Sequence, residues 1–217
     1  MQWPLLEAVP EADVRRTLEM ARRRVFARDE VVFHQDDPAD TIHLIESGHF
    51  AVRASTRYGQ RATLAILGAG EAFGELALLD PGAPRSATVV ALESAVTHSI
   101  HQLDFNGLRQ RHPETATVLI AILTAQVRRL SAQLLEALYA PAESRVRRRV
   151  AELARRYEPS AAGIVIPLRQ EDLAELAGTS RGTVNRVLRE EERRGTLRLS
   201  RGRTIVLDAE RLLELAG

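Results

Sequence analysis

The 217-residue sequence predicts an α+β protein in three parts. Residues 25–103 break into short β-rich pieces between turn residues, which is typical of a barrel or a double-sheet sandwich. A glycine-free stretch with helical periodicity follows from Pro113 to Tyr139, and the rest of the chain alternates short helices with one β-hairpin. We therefore expect a β-rich domain over residues 1–112, a long helix over 113–140 and a smaller domain over 141–217.

Short runs of apolar and β-branched residues define the strands of the N-terminal domain. They are Val31–Phe33, Thr41–Ile45, Phe50–Arg53, Ala62–Ile66, Ala87–Ala91 and Val96–Ile100. Turn residues such as Ser47-Gly48, Tyr58-Gly59 and the segment Asp80–Pro84 separate these runs. A helix is predicted ahead of them over Glu11–Ala21.

The long helix carries two apolar faces. One is a heptad seam whose members recur at alternating spacings of three and four: Ile120, Leu123, Val127, Leu130, Leu134 and Ala137. Leu119, Ile122 and Leu135 widen the apolar surface toward a second face. A helix packed only on its own domain needs a single face of ~3.6 periodicity. Two faces favour a partner helix in addition, so we expect a parallel homodimer.

Composition excludes several classes of protein. Hydrophobic residues make up 45% of the chain, enough for a sizeable core, and the absence of cysteine excludes disulfides, iron–sulfur clusters and cysteine nucleophiles. No uninterrupted apolar run approaches the ~18 residues of a membrane helix, and Met1–Leu6 lacks the basic flank of a secretory signal. We expect a cytoplasmic protein without membrane contact.

Catalytic and metal-binding motifs are missing from the sequence. It contains no Gly-x-Ser-x-Gly, no phosphate loop with a lysine and no carboxylate pair of catalytic spacing. His98 and His101 are three residues apart in a strand-like stretch and would point to opposite faces. We therefore expect no enzyme activity, no metal and no resident cofactor.

Charge is distributed unevenly along the chain. All 30 basic residues are arginine. Residues 1–139 hold 14 Arg against 17 acidic residues, a net −3, whereas residues 140–217 hold 16 against 12, a net +4. The basic second part hints at nucleic-acid binding. The run Arg145–Arg149 within it is interpreted as a solvated helix face rather than a phosphate contact.

The strongest C-terminal signal is the segment Gln170–Arg186. Two helices that meet near a right angle need a small residue at the crossing, a residue that tolerates positive φ in the turn, and an apolar anchor on the second helix. Ala174, Gly178 and Val184 meet these needs at the required spacing. An αα-corner with a solvated charged face remains the alternative. The arginine-rich hairpin that follows favours a winged helix-turn-helix.

The second of these helices presents side chains suited to reading base edges. Arginine pairs bidentately with guanine and asparagine with adenine, while Thr179 or Ser180 caps the helix. We expect phosphate contacts from Arg169, Gln170 and Arg203. The complete predicted DNA interface is Arg169, Gln170, Thr179, Ser180, Arg181, Thr183, Asn185, Arg186 and Arg203.

The strongest N-terminal signal is the segment Phe73–Ala87. Gly74 permits close backbone approach, Glu75 offers a carboxylate to hydroxyl groups, and Arg85 offers a planar fork to a phosphate. The Ser86 hydroxyl and the amides of Ser86 and Ala87 add donors. From the residues alone, a turn-rich loop in which Glu75 and Arg85 form a plain ion pair is equally compatible.

Over nearly its whole length the chain resembles the bacterial transcription regulators of the cyclic AMP receptor protein and FNR (Crp/Fnr) family. The resemblance is carried by His34–Pro38, Ile45–Gly48, Gly74–Leu79, Arg85–Thr88 and Gly178–Leu188. It implies a jelly-roll (double-stranded β-helix) effector domain, a dimerisation helix and a winged helix-turn-helix on a pseudo-palindromic DNA site. Half-sites would lie about one helical turn apart. RNA polymerase is the further partner that it implies.

The resemblance also implies a cyclic-nucleotide site, with cyclic AMP as the expected effector. Gly74 and Glu75 would hold the ribose, and Arg85 and Ser86 the cyclic phosphate. The complete implied ligand set is Phe73, Gly74, Glu75, Leu76, Arg85, Ser86, Ala87 and Ser131.

Several positions depart from the family pattern. Leu130 and Ser131 stand where the cyclic AMP receptor has a Thr-Ser pair that contacts adenine. In the second helix of the helix-turn-helix, Gly182 replaces a cytosine-reading glutamate and Asn185 replaces a glycine. The alternatives are a regulator that binds DNA without a nucleotide or with another effector, and an enzyme that processes cyclic nucleotides.

Overall fold

The computed structural model describes residues 3–80 and 82–217, so Pro81, inside the predicted Asp80–Pro84 turn and the Phe73–Ala87 segment, lies outside the described residues together with Met1 and Gln2. The chain forms two compact units, Met1–Arg129 and Leu130–Gly217. One helix continues across this division, and the predicted borders near residues 112 and 140 stay predictions.

Two four-stranded antiparallel sheets build the N-terminal unit. Their strands are β1 (Arg22–Phe26), β2 (Val31–Phe33), β3 (Thr41–Ser47), β4 (Phe50–Ser55), β5 (Arg61–Leu67), β6 (Ala72–Phe73), β7 (Thr88–Ala91) and β8 (Ala95–His101). One sheet has the order β1-β8-β3-β6 and the other β2-β7-β4-β5. Except for β4 and β5, neighbouring strands in these sheets are not consecutive in sequence, which confirms the predicted double-sheet, jelly-roll architecture.

Helices flank the two sheets. They are a 3₁₀ turn at Pro4–Leu6, α1 (Glu11–Met20), α2 (Leu76–Leu79), α3 (Gln102–Arg111) and α4 (Glu114–Tyr139). The sequence did not indicate α3, which contains Asn106 and Gly107, both poor helix formers. Tertiary packing overrides this propensity, because Phe105 and Leu108 are fully buried against the N-terminal core.

An aromatic core fills the space between the sheets. Phe26, Phe50 and Phe73 are buried there, and the ring of His43 stacks on Phe73 with centroids 4.9 Å apart. His43 Nδ1 lies 3.1 Å from the hydroxyl of Thr97. A polar ring is thus buried within the aromatic core.

Acidification is expected to destabilise the N-terminal unit through His43. The pKa of His43 is lowered to about 3, first by burial and then by the positive charges of Arg85 and Arg24. In the unfolded chain its pKa returns to about 6.5, so the unfolded state binds the additional proton. Stability is therefore retained above pH 6.5 and is lost at about 1.4 kcal/mol per pH unit as the pH falls toward 3.

Urea denaturation followed by tryptophan fluorescence tests this expectation. Trp3, the only tryptophan, is buried in the N-terminal unit, and its Nε1 donates to the Ile45 carbonyl. His43→Gln keeps a polar side chain but does not titrate, so its stability should fall less steeply between pH 6 and 4. Equal slopes for variant and parent would contradict the assignment.

The helix α4 exposes much of its predicted seam. Ile120, Val127 and Leu134 are each at least 60% exposed, whereas Leu119 is buried against the N-terminal core. The predicted division is present only in part, because Leu123 of the seam packs with Ile122 against the N-terminal core, whereas Leu135 of the second face is 59% exposed.

Contrary to the expectation from apolar runs, α4 is long and apolar enough to cross a membrane by length and composition alone, with a mean hydropathy of 1.4 in its most apolar window. A single such helix is weak grounds for a membrane span. Arg128 and Arg129 lie near its middle, and each arginine at a bilayer centre costs about 2.5–3.5 kcal/mol. Its exposed apolar seam suits a partner helix better than lipid.

The C-terminal unit contains a helix-turn-helix and a small sheet. Its elements are α5 (Ala142–Ala154), β9 (Pro159–Ser160), β10 (Gly163–Ile166), α6 (Gln170–Ala177), α7 (Arg181–Arg194), β11 (Leu197–Ser200), β12 (Arg203–Val206) and α8 (Ala209–Glu214). The predicted hairpin is β11–β12, and it extends into a four-stranded sheet of order β11-β12-β10-β9. This is a winged helix-turn-helix, in which α7 is the recognition helix and the hairpin β11–β12 is the wing.

The arginine run on α5 is not the solvated face that the sequence suggested. Arg147 is largely buried and its Nε donates to the carboxylate of Glu191, which is fully buried on α7. Arg149 is also buried and pairs with Glu136. Arg145 donates to three backbone carbonyls. Arg147 and Arg149 thus meet carboxylates of other helices, Glu191 on α7 and Glu136 on α4, which the periodicity of α5 alone does not reveal.

Candidate functional sites

Arg85 is a buried cation at the edge of the N-terminal sandwich. It is only 5% exposed, and its guanidinium stacks 4.0 Å from the ring centroid of Phe33. Nη1 donates to the Thr41 carbonyl at 2.8 Å and Nη2 to the Thr41 hydroxyl at 2.7 Å. Among the described residues, Nε is buried without a hydrogen-bond partner. The fork is therefore held in place while the buried Nε–H lacks an acceptor.

The charge of Arg85 is set by opposing effects. Burial lowers its pKa, and the nearby carboxylates of Asp40 and Asp37 oppose that effect. Because an arginine pKa begins far above neutrality, the guanidinium remains a cation. A buried cation with an unused N–H is suited to an anionic ligand.

Gly74 is required for this arrangement. Its φ is +82°, and a Cβ built there would lie 2.8 Å from Arg85 Nη1 and 2.9 Å from the Thr41 carbonyl oxygen. Any larger residue would displace the guanidinium. The glycine, the arginine and the threonine thus form one packed unit.

Glu75 lies next to Gly74 but bonds elsewhere. It is 8% exposed, and its Oε1 accepts from the side-chain amide of Gln126 on α4 at 3.0 Å. The sequence allowed a direct ion pair between Glu75 and Arg85. In the structure Glu75 bonds to Gln126 instead, and Arg85 bonds to Thr41. Thr41 and Gln126 were missed in the sequence, because each lies more than 40 residues from its partner and belongs to no motif.

The other predicted ligand residues differ in their burial and in the unit to which they belong. Phe73 and Ala87 are buried, Leu76 is 45% exposed, and Ser86 is exposed. Ser131 is exposed on α4 and belongs to the C-terminal unit. The structure therefore brings together Gly74, Glu75 and Arg85, and it describes Ser131 separately from them.

The turn of the helix-turn-helix has the predicted chemistry. Gly178 adopts the left-handed conformation with φ +58°, and the Thr179 N–H donates to the carbonyl of Ala174. The Ser180 hydroxyl caps α7 by accepting from the Thr183 N–H at 3.1 Å. Ala174 and Val184 are buried where they were expected to anchor the two helices. Of the two capping candidates, Ser180 is the one used.

A cleft of about 600 Å³ lies between α7, the start of α6 and the wing. Five of the predicted DNA-interface residues line it: Arg169, Gln170, Arg181, Asn185 and Arg203. On α7, Arg181, Asn185 and Arg189 follow one another at intervals of four and so share a face. Arg189 and Arg201 were not predicted, although both lie in the elements that the sequence singled out. The result is a concentrated basic surface.

Two predicted base readers lie apart from this cleft. The hydroxyl of Thr183 is 3.1 Å from that of Ser180, so it supports the cap. Arg186 donates through Nη2 to Glu143 on α5 at 2.5 Å. Gly182, in the first turn of α7, is exposed, and a Cβ built there would meet only the Ser180 hydroxyl, at 3.7 Å.

Within residues 3–80 and 82–217, no cluster of three histidine or carboxylate side chains is arranged to hold a metal ion. His98 instead lies 2.8 Å from the carboxylate of Glu46, and His49 lies 2.5 Å from that of Glu93.

Comparison with known proteins matches both units to described domains. Residues 23–112 match the cyclic nucleotide-binding domain, and residues 144–215 match the Crp-like helix-turn-helix domain. The cyclic AMP receptor protein of Thermus thermophilus is 34% identical over 98% of this chain and 96% of its own length. A CRP-like cAMP-activated global transcriptional regulator of Mycobacterium tuberculosis is 33% identical over 88% of this chain and 86% of its own.

A solved structure gives the same assignment. The crystal structure of the Thermus thermophilus catabolite activator protein covers 98% of both chains at 34% identity, with a TM-score of 0.56. The fold and the matched domains together define a DNA-binding transcription regulator with a cyclic-nucleotide-binding domain. The chain belongs to the Crp/Fnr family. The relatives it matches are transcription regulators rather than enzymes.

Proposed function

We propose that the N-terminal unit binds a cyclic nucleotide, with cyclic AMP as the first candidate, and that the bound nucleotide controls DNA binding by a homodimer. The observation that carries the proposal is the buried guanidinium of Arg85, whose Nε is the donor left without a partner among the described residues. A cyclic phosphate supplies the acceptor that this Nε–H lacks, together with a negative charge beside the guanidinium. The names of the two relatives, a cyclic AMP receptor protein and a cAMP-activated regulator, support the same effector.

Glu75 and Gln126 extend the proposed site toward the long helix. In this arrangement the Glu75 carboxylate accepts a hydrogen bond from a ribose hydroxyl. The hydrogen bond from Gln126 to the same carboxylate is then either kept or broken. Because Gln126 belongs to α4, a nucleotide that takes over Glu75 acts directly on the helix proposed to form the dimer. A ligand shifts a conformational equilibrium only by its differential affinity for the two states, so this contact offers a physical basis for such a difference.

In the proposed DNA complex, the helix α7 of each subunit enters one of two successive major grooves of a pseudo-palindromic site. The arginines around the cleft would neutralise phosphates, and Arg181, Asn185 and Arg186 would read base edges. Gly182 offers no side chain to the base opposite it, so we expect relaxed preference there. The exposed seam of α4 would join the two subunits. RNA polymerase is the further partner that we infer from the family, and the cytoplasm is the expected location.

A second reading, DNA binding without a nucleotide, is favoured by two observations. Arg85 and Glu75 already bond to Thr41 and Gln126, and Leu130 stands where the family pattern has a base-reading threonine. Another small anion at Arg85 is a variant of this reading. Hydrolysis of a cyclic nucleotide has no such support, because Glu75 is the only acid assigned to the ligand.

Titration calorimetry with cyclic AMP and, separately, cyclic GMP tests the proposal. We expect cyclic AMP to bind at one site per chain and to raise affinity for a DNA site selected from random duplexes. Binding without an effect on DNA affinity would contradict the gating step. If neither nucleotide gives heat and the protein without nucleotide binds the selected DNA tightly, the hypothesis of ligand-independent DNA binding is established instead.

A further inference from the structure

The ion pair between Arg186 and Glu143 joins the recognition helix α7 to the first turn of α5. Nη2 of Arg186 donates to Oε1 of Glu143 at 2.5 Å. Both residues belong to the C-terminal unit, although they are 43 positions apart in sequence. The two side chains are 61% and 34% exposed, so the pair is open to a ligand from solvent.

Glu143 is held as a carboxylate. Its pKa is lowered, first by the hydrogen bond from Arg186 and then by a backbone N–H in the first turn of the helix. The helix dipole favours a negative charge at this end. An exposed ion pair contributes little to stability, so folding alone explains the pairing poorly. A fixed negative charge beside a DNA-reading arginine also opposes the approach of phosphates.

We propose that Glu143 is a positioning residue for Arg186, one that directs its guanidinium to guanine rather than to the phosphate backbone. The proposal rests on the base-reading role assigned to Arg186 under the proposed function. The bond to Glu143 uses one hydrogen of Nη2. It leaves the other hydrogen of Nη2 and both hydrogens of Nη1 for a bidentate contact with guanine O6 and N7.

Two physical effects combine in this arrangement. Fixing one nitrogen removes rotational freedom from a long side chain before DNA binds, which reduces the entropy lost on forming the base contact. A swing of Arg186 toward a phosphate would break the pair and bring the phosphate near the Glu143 carboxylate. Base reading is therefore favoured and non-specific binding is disfavoured by the same residue.

Selection from a library of random DNA duplexes, with the full-length protein, tests the proposal. The variants are Arg186→Ala, Glu143→Ala, Glu143→Gln and the double variant with both alanines. Glu210→Ala is the matched control, because Glu210 is also an exposed acid in the first turn of a helix, α8, and its loss changes the net charge equally.

Glu143→Ala should flatten the preference at the same base pair that Arg186→Ala flattens. The ratio of specific to non-specific affinity should fall by about tenfold, while non-specific affinity stays equal or rises. Glu143→Gln keeps an acceptor oxygen and should retain part of the preference. The double variant should match Arg186→Ala alone, and Glu210→Ala should keep the parental preference.

Each opposite outcome has a distinct meaning. If Arg186→Ala flattens no position, the base-reading role of Arg186 under the proposed function fails. If Arg186→Ala flattens one position but neither Glu143 variant does, the positioning role alone is overturned. If Glu143→Ala raises specific affinity and keeps the preference, Glu143 masks Arg186 instead of positioning it. Thermal denaturation shows whether Glu143→Ala has a folding defect. If it has one, the base preference of Glu143→Gln decides whether Glu143 positions Arg186.

Discussion

Replacing Glu191 by alanine is expected to destabilise the C-terminal unit by about 3 kcal/mol. Glu191 is fully buried, and its carboxylate accepts from Arg147 Nε at 2.8 Å, Arg194 Nη1 at 2.9 Å and the Thr196 hydroxyl at 2.9 Å. Removing the carboxylate leaves the buried Arg147 without its main partner. This loss is at the lower end of the range for breaking a buried ion pair, because Glu190 keeps a 3.2 Å contact with Arg147.

The network connects elements that are remote in sequence. Arg147 lies on α5, Glu191 on α7, and Thr196 at the turn that leads into the wing. Loss of the carboxylate should therefore loosen the wing as well as the recognition helix. Both elements line the basic cleft, so DNA affinity should fall together with stability.

Urea denaturation followed by circular dichroism at helix wavelengths measures the loss, and the fluorescence of Trp3 reports on the N-terminal unit separately. Glu190→Ala is the matched control, because Glu190 precedes Glu191 on the same helix, contacts the same arginine and is 30% exposed. It should cost less than about 1 kcal/mol. Equal losses for the two variants would show that burial of Glu191 does not set the size of the effect.

Much of the architecture could be predicted because local rules carried it. Turn residues and short β-branched runs marked the strands, and Ala174, Gly178 and Val184 marked the helix-turn-helix. These residues act through backbone conformation and local packing, which depend on near neighbours. The same holds for the cap at Ser180.

The elements that sequence reasoning missed depend on distant partners. The strand β1 begins with Arg22-Arg23-Arg24, three charged residues without a strand signal, yet it pairs with β8 at the edge of a sheet. The helix α3 is held by the burial of Phe105 and Leu108 rather than by its own propensity. No periodicity within either segment carries this information.

The candidate sites show the same division. Gly74, Glu75 and Arg85 could be found because they lie in one short segment with a recognisable residue order. Thr41 and Gln126, which orient Arg85 and Glu75, come from other elements and were invisible. Glu143 escaped for the same reason, because α5 meets α7 only in the folded domain. Sequence patterns therefore identify the groups that would contact a ligand, and tertiary structure identifies the groups that hold them.

Replacing Arg85 by alanine is expected to abolish measurable binding of cyclic AMP. The guanidinium is the buried cation at the proposed phosphate site, and Nε is its unused donor. Arg85→Lys keeps the charge and an aliphatic stem near Phe33 but lacks Nε and the planar fork. Loss of one charge-assisted hydrogen bond costs about 2 kcal/mol, so the lysine variant should bind about 30-fold more weakly.

Arg24→Ala provides the matched control for these variants. The Arg24 guanidinium also stacks on an aromatic ring, 4.8 Å from the centroid of Phe26, so its loss removes the same charge and a similar contact. Calorimetry should give parental nucleotide affinity for Arg24→Ala. Because Arg85→Ala removes the hydrogen bonds to the carbonyl and the hydroxyl of Thr41, Trp3 fluorescence must show a folded N-terminal unit before its loss of binding is interpreted. Arg85→Lys keeps a donor near Thr41, so parental affinity in that folded variant would show that the phosphate does not use the arginine fork.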